Sequence, residues 1–208
     1  MTRLFVSNPM YLNAADFVPL FREIKRVQET LNAYCLAPDK IPVGLDDIKY
    51  AICEEYGVKI IQRLIPLHSD MLRGMILIFQ AKSIILIDSE LSKSWTRYVA
   101  TKEMCHHLVN NDVHRTTDPT VIIEYLVQDG VTPLTDPPPD IATEDLTRFA
   151  ALELLFPFDL REPAKQRIES GSDTLYTTAE WLEIPEHLVE MALADWYMEF
   201  AKNVRAAL

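Results

Sequence analysis

The sequence predicts an α+β domain, rich in helix, with one small three-stranded antiparallel sheet and a helical C-terminal tail. Three observations carry this expectation. Glycine is scarce, five in 208 residues, so helix should dominate. Apolar residues recur at helical spacing near both ends of the chain. Between them lie three short stretches crowded with Ile, Leu and Val and separated by turns, the composition of strands.

The elements follow in order. In "AADFVPLFREIKRVQETLNAYCL" the apolar positions Phe17, Leu20, Phe21, Ile24, Val27, Leu31 and Tyr34 mark an opening amphipathic helix. "APDKIPVG" breaks it with two prolines and a glycine. "LDDIKYAICEEYG" reads as a short helix with Asp46 or Asp47 near its start and Gly57 as its stop. "VKIIQRLIPL", "RGMILIFQ" and "KSIILIDS" read as three strands of a meander. A long motif helix follows over 90–110, capped by Ser89 or Ser92 and ended by Asn110, Asn111 and Asp112. The proline-dense "VTPLTDPPPD" must be a loop, and a second helix runs over 142–156 to stop at Pro157. "LREPAKQRIES" is a short helix. The tail is a short helix, a break at Ile184-Pro185 and one long final helix. This divides the chain into a core over 1–158 and a helical segment over 159–208 packed on it. The packing residues expected in the tail are Trp181, Leu182, Leu188, Met191, Leu193 and Trp196, and the cluster Trp196, Tyr197 and Phe200 offers a surface for a homodimer.

Bulk properties narrow the function classes. A formal net charge of −11 disfavours direct binding of a nucleic-acid backbone and suits a basic protein partner. The tail has helix-turn-helix length, but its second helix carries Glu186, Glu190 and Asp195 and no cation, the wrong sign for a recognition helix. No stretch reaches the roughly 18 apolar residues of a membrane span, and "MTRLFVSNPMYLNAADF" has no signal-peptide pattern. Three scattered cysteines, Cys35, Cys53 and Cys105, fit reduced thiols and a cytoplasmic location.

The chemistry centres on "RYVATKEMCHHLVNND". A zinc-peptidase helix presents two imidazoles at i and i+4, which stack on one face within reach of one ion. The glutamate after the first histidine takes a proton from the metal-bound water. In "KEMCH", Glu103 fills the glutamate slot and His106 the second histidine slot, but Lys102 stands in the first ligand slot. An ammonium has no lone pair, and neutralising it at pH 7 means a shift of about three pKa units, roughly 4–5 kcal/mol. A simpler arrangement puts the Lys102 ammonium where an ion would be, paired with Glu103 or with a carboxylate of the second helix. Glu103 and His107 are also i, i+4 and define an alternative site rotated by about 100°, with Cys105, His106 and His114 nearby. His68 in a loop beside Asp70, and His187 in an acidic stretch, read as exposed residues without a role.

The order of segments resembles the ImmA/IrrE family of metallopeptidase-like proteins. The stretches "IPVGLDDIKYAICEEYGVKII", "SIILIDSELSKSWTRYVATKEMCHHLV", "EDLTRFAALELLFP" and "YTTAEWLEIPEHLVEMAL" resemble four blocks of that family in the family's order, with no motif intact. The resemblance implies a zincin-like fold and zinc as cofactor, with Glu103 as general base. It also implies His106 as a metal ligand and a third ligand at Glu144 or Asp145, Glu153 being a weaker candidate. Its implied substrate is a helix-turn-helix repressor or antitoxin in a stress or mobile-element switch. Lys102 turns the expectation toward a non-catalytic or altered-site relative, without metal, that binds such a regulator. The alternative is an active metal-dependent endopeptidase.

Overall fold

The computed structural model describes residues 14–34, 42–68, 72–109 and 139–208, with the backbone alone at 14 and 139–142. Cys35, Asp70, His114, the Asn110–Asp112 helix stop and most of the proline-rich loop lie outside the described residues. The fold is α+β: helices pack against one face of a small mixed sheet.

Helix α1 (Val18–Tyr34), entered through a 3-10 turn (Ala14–Phe17), buries Leu20, Phe21, Ile24, Val27 and Leu31 along one face. Tyr34 departs from the expected stripe. It is exposed at the helix end, edge-on to Tyr50. Helix α2 (Leu45–Tyr56) starts where the Gly44 N–H donates to the Asp47 carboxylate (3.1 Å) and stops at Gly57, whose φ of 61° is open to glycine at little cost.

Strands β1 (Lys59–Ile65), β2 (Gly74–Ile78) and β3 (Lys82–Asp88) form the sheet. The expected antiparallel meander is corrected. The spatial order is β1-β3-β2, with β3 antiparallel to β2 and parallel to β1. Three residues join β2 to β3, which allows only a hairpin. The longer connection at 66–73 lets the chain pass to the far side and leave the central place to β3. That strand buries Ser83, Ile85 and Ile87 on its inner face, and paired on both sides it exposes no edge.

Helix α3 (Lys93–Cys105) packs on β2 and β3. The approach is tight at Gly74, where a Cβ would lie 2.4 Å from Val99 Cγ1, so glycine alone fits without a shift of its neighbour. The Ser92 hydroxyl caps α3 by accepting from Trp95 N–H (3.4 Å). The helix is shorter than the expected 90–110. Beyond Cys105 the chain tightens into i→i−3 bonds, from His106 N–H to the Glu103 carbonyl and from His107 N–H to that of Met104.

Helix α4 (Pro139–Leu155) packs across α3 and α1 and stops before Pro157. Its Phe149 meets Phe17, Tyr197 and Phe200 at the centre of the core. Then follow α5 (Phe158–Glu169), α6 (Leu175–Leu182), α7 (Glu186–Leu193) and α8 (Asp195–Ala206). The single long final helix is thus corrected to two, broken where Ala194 adopts an extended conformation (ψ 138°). The bend re-aims the buried face, so that Leu188, Val189 and Ala192 before it and Tyr197, Ala201 and Val204 after it all reach the core. Leu182, Leu188 and Leu193 pack as expected and Met191 partly so, but Trp181 and Trp196 remain exposed. Tyr197 is buried, and Phe200 stacks edge-on with Phe17. Among the described residues no helix is long and apolar enough to cross a membrane.

Candidate functional site

Four side chains converge where α3 faces α4. Lys102 and His106 share one face of α3 by their i, i+4 spacing, and Glu103 turns toward them from the adjacent position. Glu144 enters from the first half of α4. The Lys102 Nζ lies 2.7 Å from Glu144 Oε2, to which it donates, and 3.0 Å from Glu103 Oε1. His106 Nε2 stands 3.6 Å from Glu144 Oε1 and 3.7 Å from Glu103 Oε2. The ammonium is therefore clasped between two carboxylates, with the imidazole alongside.

Burial decides what these contacts are worth. The Glu103 side chain is 3 % exposed and Lys102 17 %, whereas Glu144 is 40 % exposed and its outer side is screened by water. Burial alone would lower the Lys102 pKa, but the charges of Glu103 and Glu144 outweigh it and hold the ammonium above the ordinary lysine value. Burial pushes Glu144 the other way, yet Lys102 and then His106 pull its carboxyl down to about 2. Arg148, one turn on in α4, adds to this.

A zinc ion does not fit these residues. Lys102 offers no lone pair, and a cation within 3.0 Å of both carboxylates repels a second one. Among the described residues no group of three or more His, Cys, Asp and Glu is arranged to hold a metal ion.

The other site residues named from the sequence lie elsewhere. Asp145, next to Glu144, is buried and faces Arg148 at 3.8 Å. His107 is turned to the sheet, its Nε2 bonded to Ser83 Oγ (3.0 Å) and its ring stacked near Tyr56, so the rotated Glu103/His107 pair is not assembled. Glu153 is fully buried against Arg161 (2.5 Å) and takes no part in the cluster. Cys105 is buried, and burial followed by the Glu103 charge raises its thiol pKa. His68 is exposed. His187, exposed as expected, does have a contact: its ring lies tilted against Trp95 at 5.0 Å, and the Arg73 guanidinium lies 3.7 Å from the same indole.

The sequence reading missed Arg148 as a support of Glu144, although their i, i+4 spacing on one helix signals it. It also missed Arg97, which is buried, donates to the Val43 carbonyl and faces Glu183 of the tail. No model of a known protein family matches the chain, and no curated protein sequence does.

Proposed function

We propose that this protein is a non-catalytic relative of the ImmA/IrrE metallopeptidase-like proteins, acting in the cytoplasm by binding a helix-turn-helix regulator or antitoxin rather than cutting it. The observation that carries the reading is the Lys102 ammonium held by Glu103 and Glu144 where a peptidase would need a lone pair. The order helix, short helix, small sheet, α3, α4 supports the kinship, as does the His106–Glu144 approach across α3 and α4. The net charge of −11 supports a basic protein as the partner and disfavours duplex DNA.

Metal analysis of protein purified without chelator tests the reading. The wild type should carry far less than one zinc per chain. Lys102→His should raise zinc occupancy, because a helix holds two imidazoles at i, i+4 without a backbone change. Adding Glu103→Gln should leave that occupancy intact and remove any hydrolysis gained. One zinc per wild-type chain would overturn the non-catalytic reading in favour of a metal-dependent endopeptidase.

A further inference from the structure

The sheet has a second face. Ser83, Ile85 and Ile87 of β3 are buried on the side of α3. Alternation sends the residues between them to the opposite side. There the register sets Lys59 beside Lys82, Ile61 beside Ile84 and Leu77, and Arg63 beside Leu86 and Met75. Phe79 continues the row past β2, its N–H donating to the Lys82 carbonyl (2.9 Å). Among the described residues its β2 rim is open, Leu77 being 41 % and Phe79 49 % exposed, while Ile61, Met75, Ile84 and Leu86 are half-buried.

Its charges run against the rest of the chain. Asp and Glu outnumber Lys and Arg by 31 to 20, so an acidic neighbour is easy to supply. Yet among the described residues Lys59, Arg63 and Lys82 pair with no carboxylate. Arg63 donates to the Gln62 carbonyl (3.3 Å), and Lys82 lies over the Phe79 ring at 5.5 Å. The three cations edge the β1 side of the face and the end of β3, and the aliphatic residues fill the β2 side. Such a surface is complementary to one that is acidic on one flank and apolar on the other.

We propose that this outer sheet face is a docking surface for an acidic amphipathic helix of a partner protein. Its apolar side would lie on Leu77, Phe79, Ile84 and Leu86, and its carboxylates along Lys59, Arg63 and Lys82. A helix is the usual cover of an open sheet face. Lys59 and Arg63 stand about 13 Å apart along β1, and two helical turns rise about 11 Å, so carboxylates two turns apart meet both cations. A single aromatic ring among aliphatic side chains is a poor platform for stacked bases. An extended anionic lipid surface would also face the acidic remainder of the chain, whereas a single acidic helix meets only this locally basic face. The surface lies across the sheet from the Lys102 cluster and stands independently of the function proposed above.

The test uses the full chain and four labelled probes: a Leu/Glu amphipathic helical peptide, its counterpart with Lys for Glu, single-stranded oligodeoxythymidine, and phosphatidylserine vesicles. The acidic peptide should bind, more weakly as salt rises, and its basic counterpart should not. Binding should weaken about tenfold in Lys59→Glu/Lys82→Glu and in Leu77→Ser, each checked for an unchanged urea midpoint. The proposal is overturned if the acidic peptide does not bind or if these substitutions leave its affinity unchanged. Tighter binding of the oligonucleotide or the vesicles through the same residues also overturns it.

Discussion

Replacing Lys102 by methionine keeps the unbranched stem, one atom shorter, and removes its charge. Glu103, 3 % exposed, would then keep His106 at 3.7 Å but lose its 3.0 Å contact with the ammonium. Stranding one partner of a buried pair costs about 3–5 kcal/mol. Here Lys102 is 17 % and Glu144 40 % exposed, so water reaches part of the cluster and the expected loss is about 2–3 kcal/mol. Urea unfolding at pH 7 reads it directly as a shift of midpoint at constant slope. Glu103→Gln added to Lys102→Met removes the stranded charge and should restore more than half of the loss. The pH dependence has a definite sign. Glu144 has a depressed pKa of about 2 in the folded state. Its contribution is therefore complete above the unfolded value near 4.5 and is lost as pH falls toward 2. Lys102→Met should flatten that acid limb. A loss under about 1 kcal/mol, or a double variant no more stable than Lys102→Met, would refute the view that Lys102 neutralises a buried carboxylate.

Gly74→Ala should destabilise the fold by about 1–3 kcal/mol, because its Cβ meets Val99 Cγ1 at 2.4 Å and either the Val99 side chain or α3 must shift; a thermal melt checks this. Arg161→Met leaves the fully buried Glu153 with only Arg205 at 4.0 Å as a cationic neighbour, and should cost about 3 kcal/mol. Adding Glu153→Leu should recover most of it in the same urea titration. His187, exposed on one side but partly desolvated against Trp95, has a pKa lowered by that desolvation and by the nearby Arg73, opposed by Glu190. Its contribution is present above the ordinary value of 6.5 and fades as pH falls below it, so His187→Gln should reduce the acid sensitivity of the melting temperature in that range.

Local chemistry determined much of this protein from the sequence alone. The stripe from Phe17 to Leu31, the Asp47 and Gly57 ends of α2 and the stop of α4 at Pro157 all follow from interactions within a few residues. So does the common face of Lys102 and His106, since i, i+4 spacing is a property of the helix itself. Other features depend on partners distant in the chain. All three strands are rich in Ile and Leu, so composition could not say that β3 would take the centre with β1 parallel to it. Glu144 and Asp145 lie about 100° apart around α4. Only the packing of that helix through Leu146, Phe149 and Ala150 decides that Glu144 reaches Lys102 while Asp145 turns to Arg148. In the same way Ser83 draws His107 away from the site, and the core bends the tail at Ala194, where no proline or glycine marks the break. Periodicity tells which residues a helix can present together; which carboxylate meets the ammonium is set by the rotation of two packed helices, and that is a property of the whole fold.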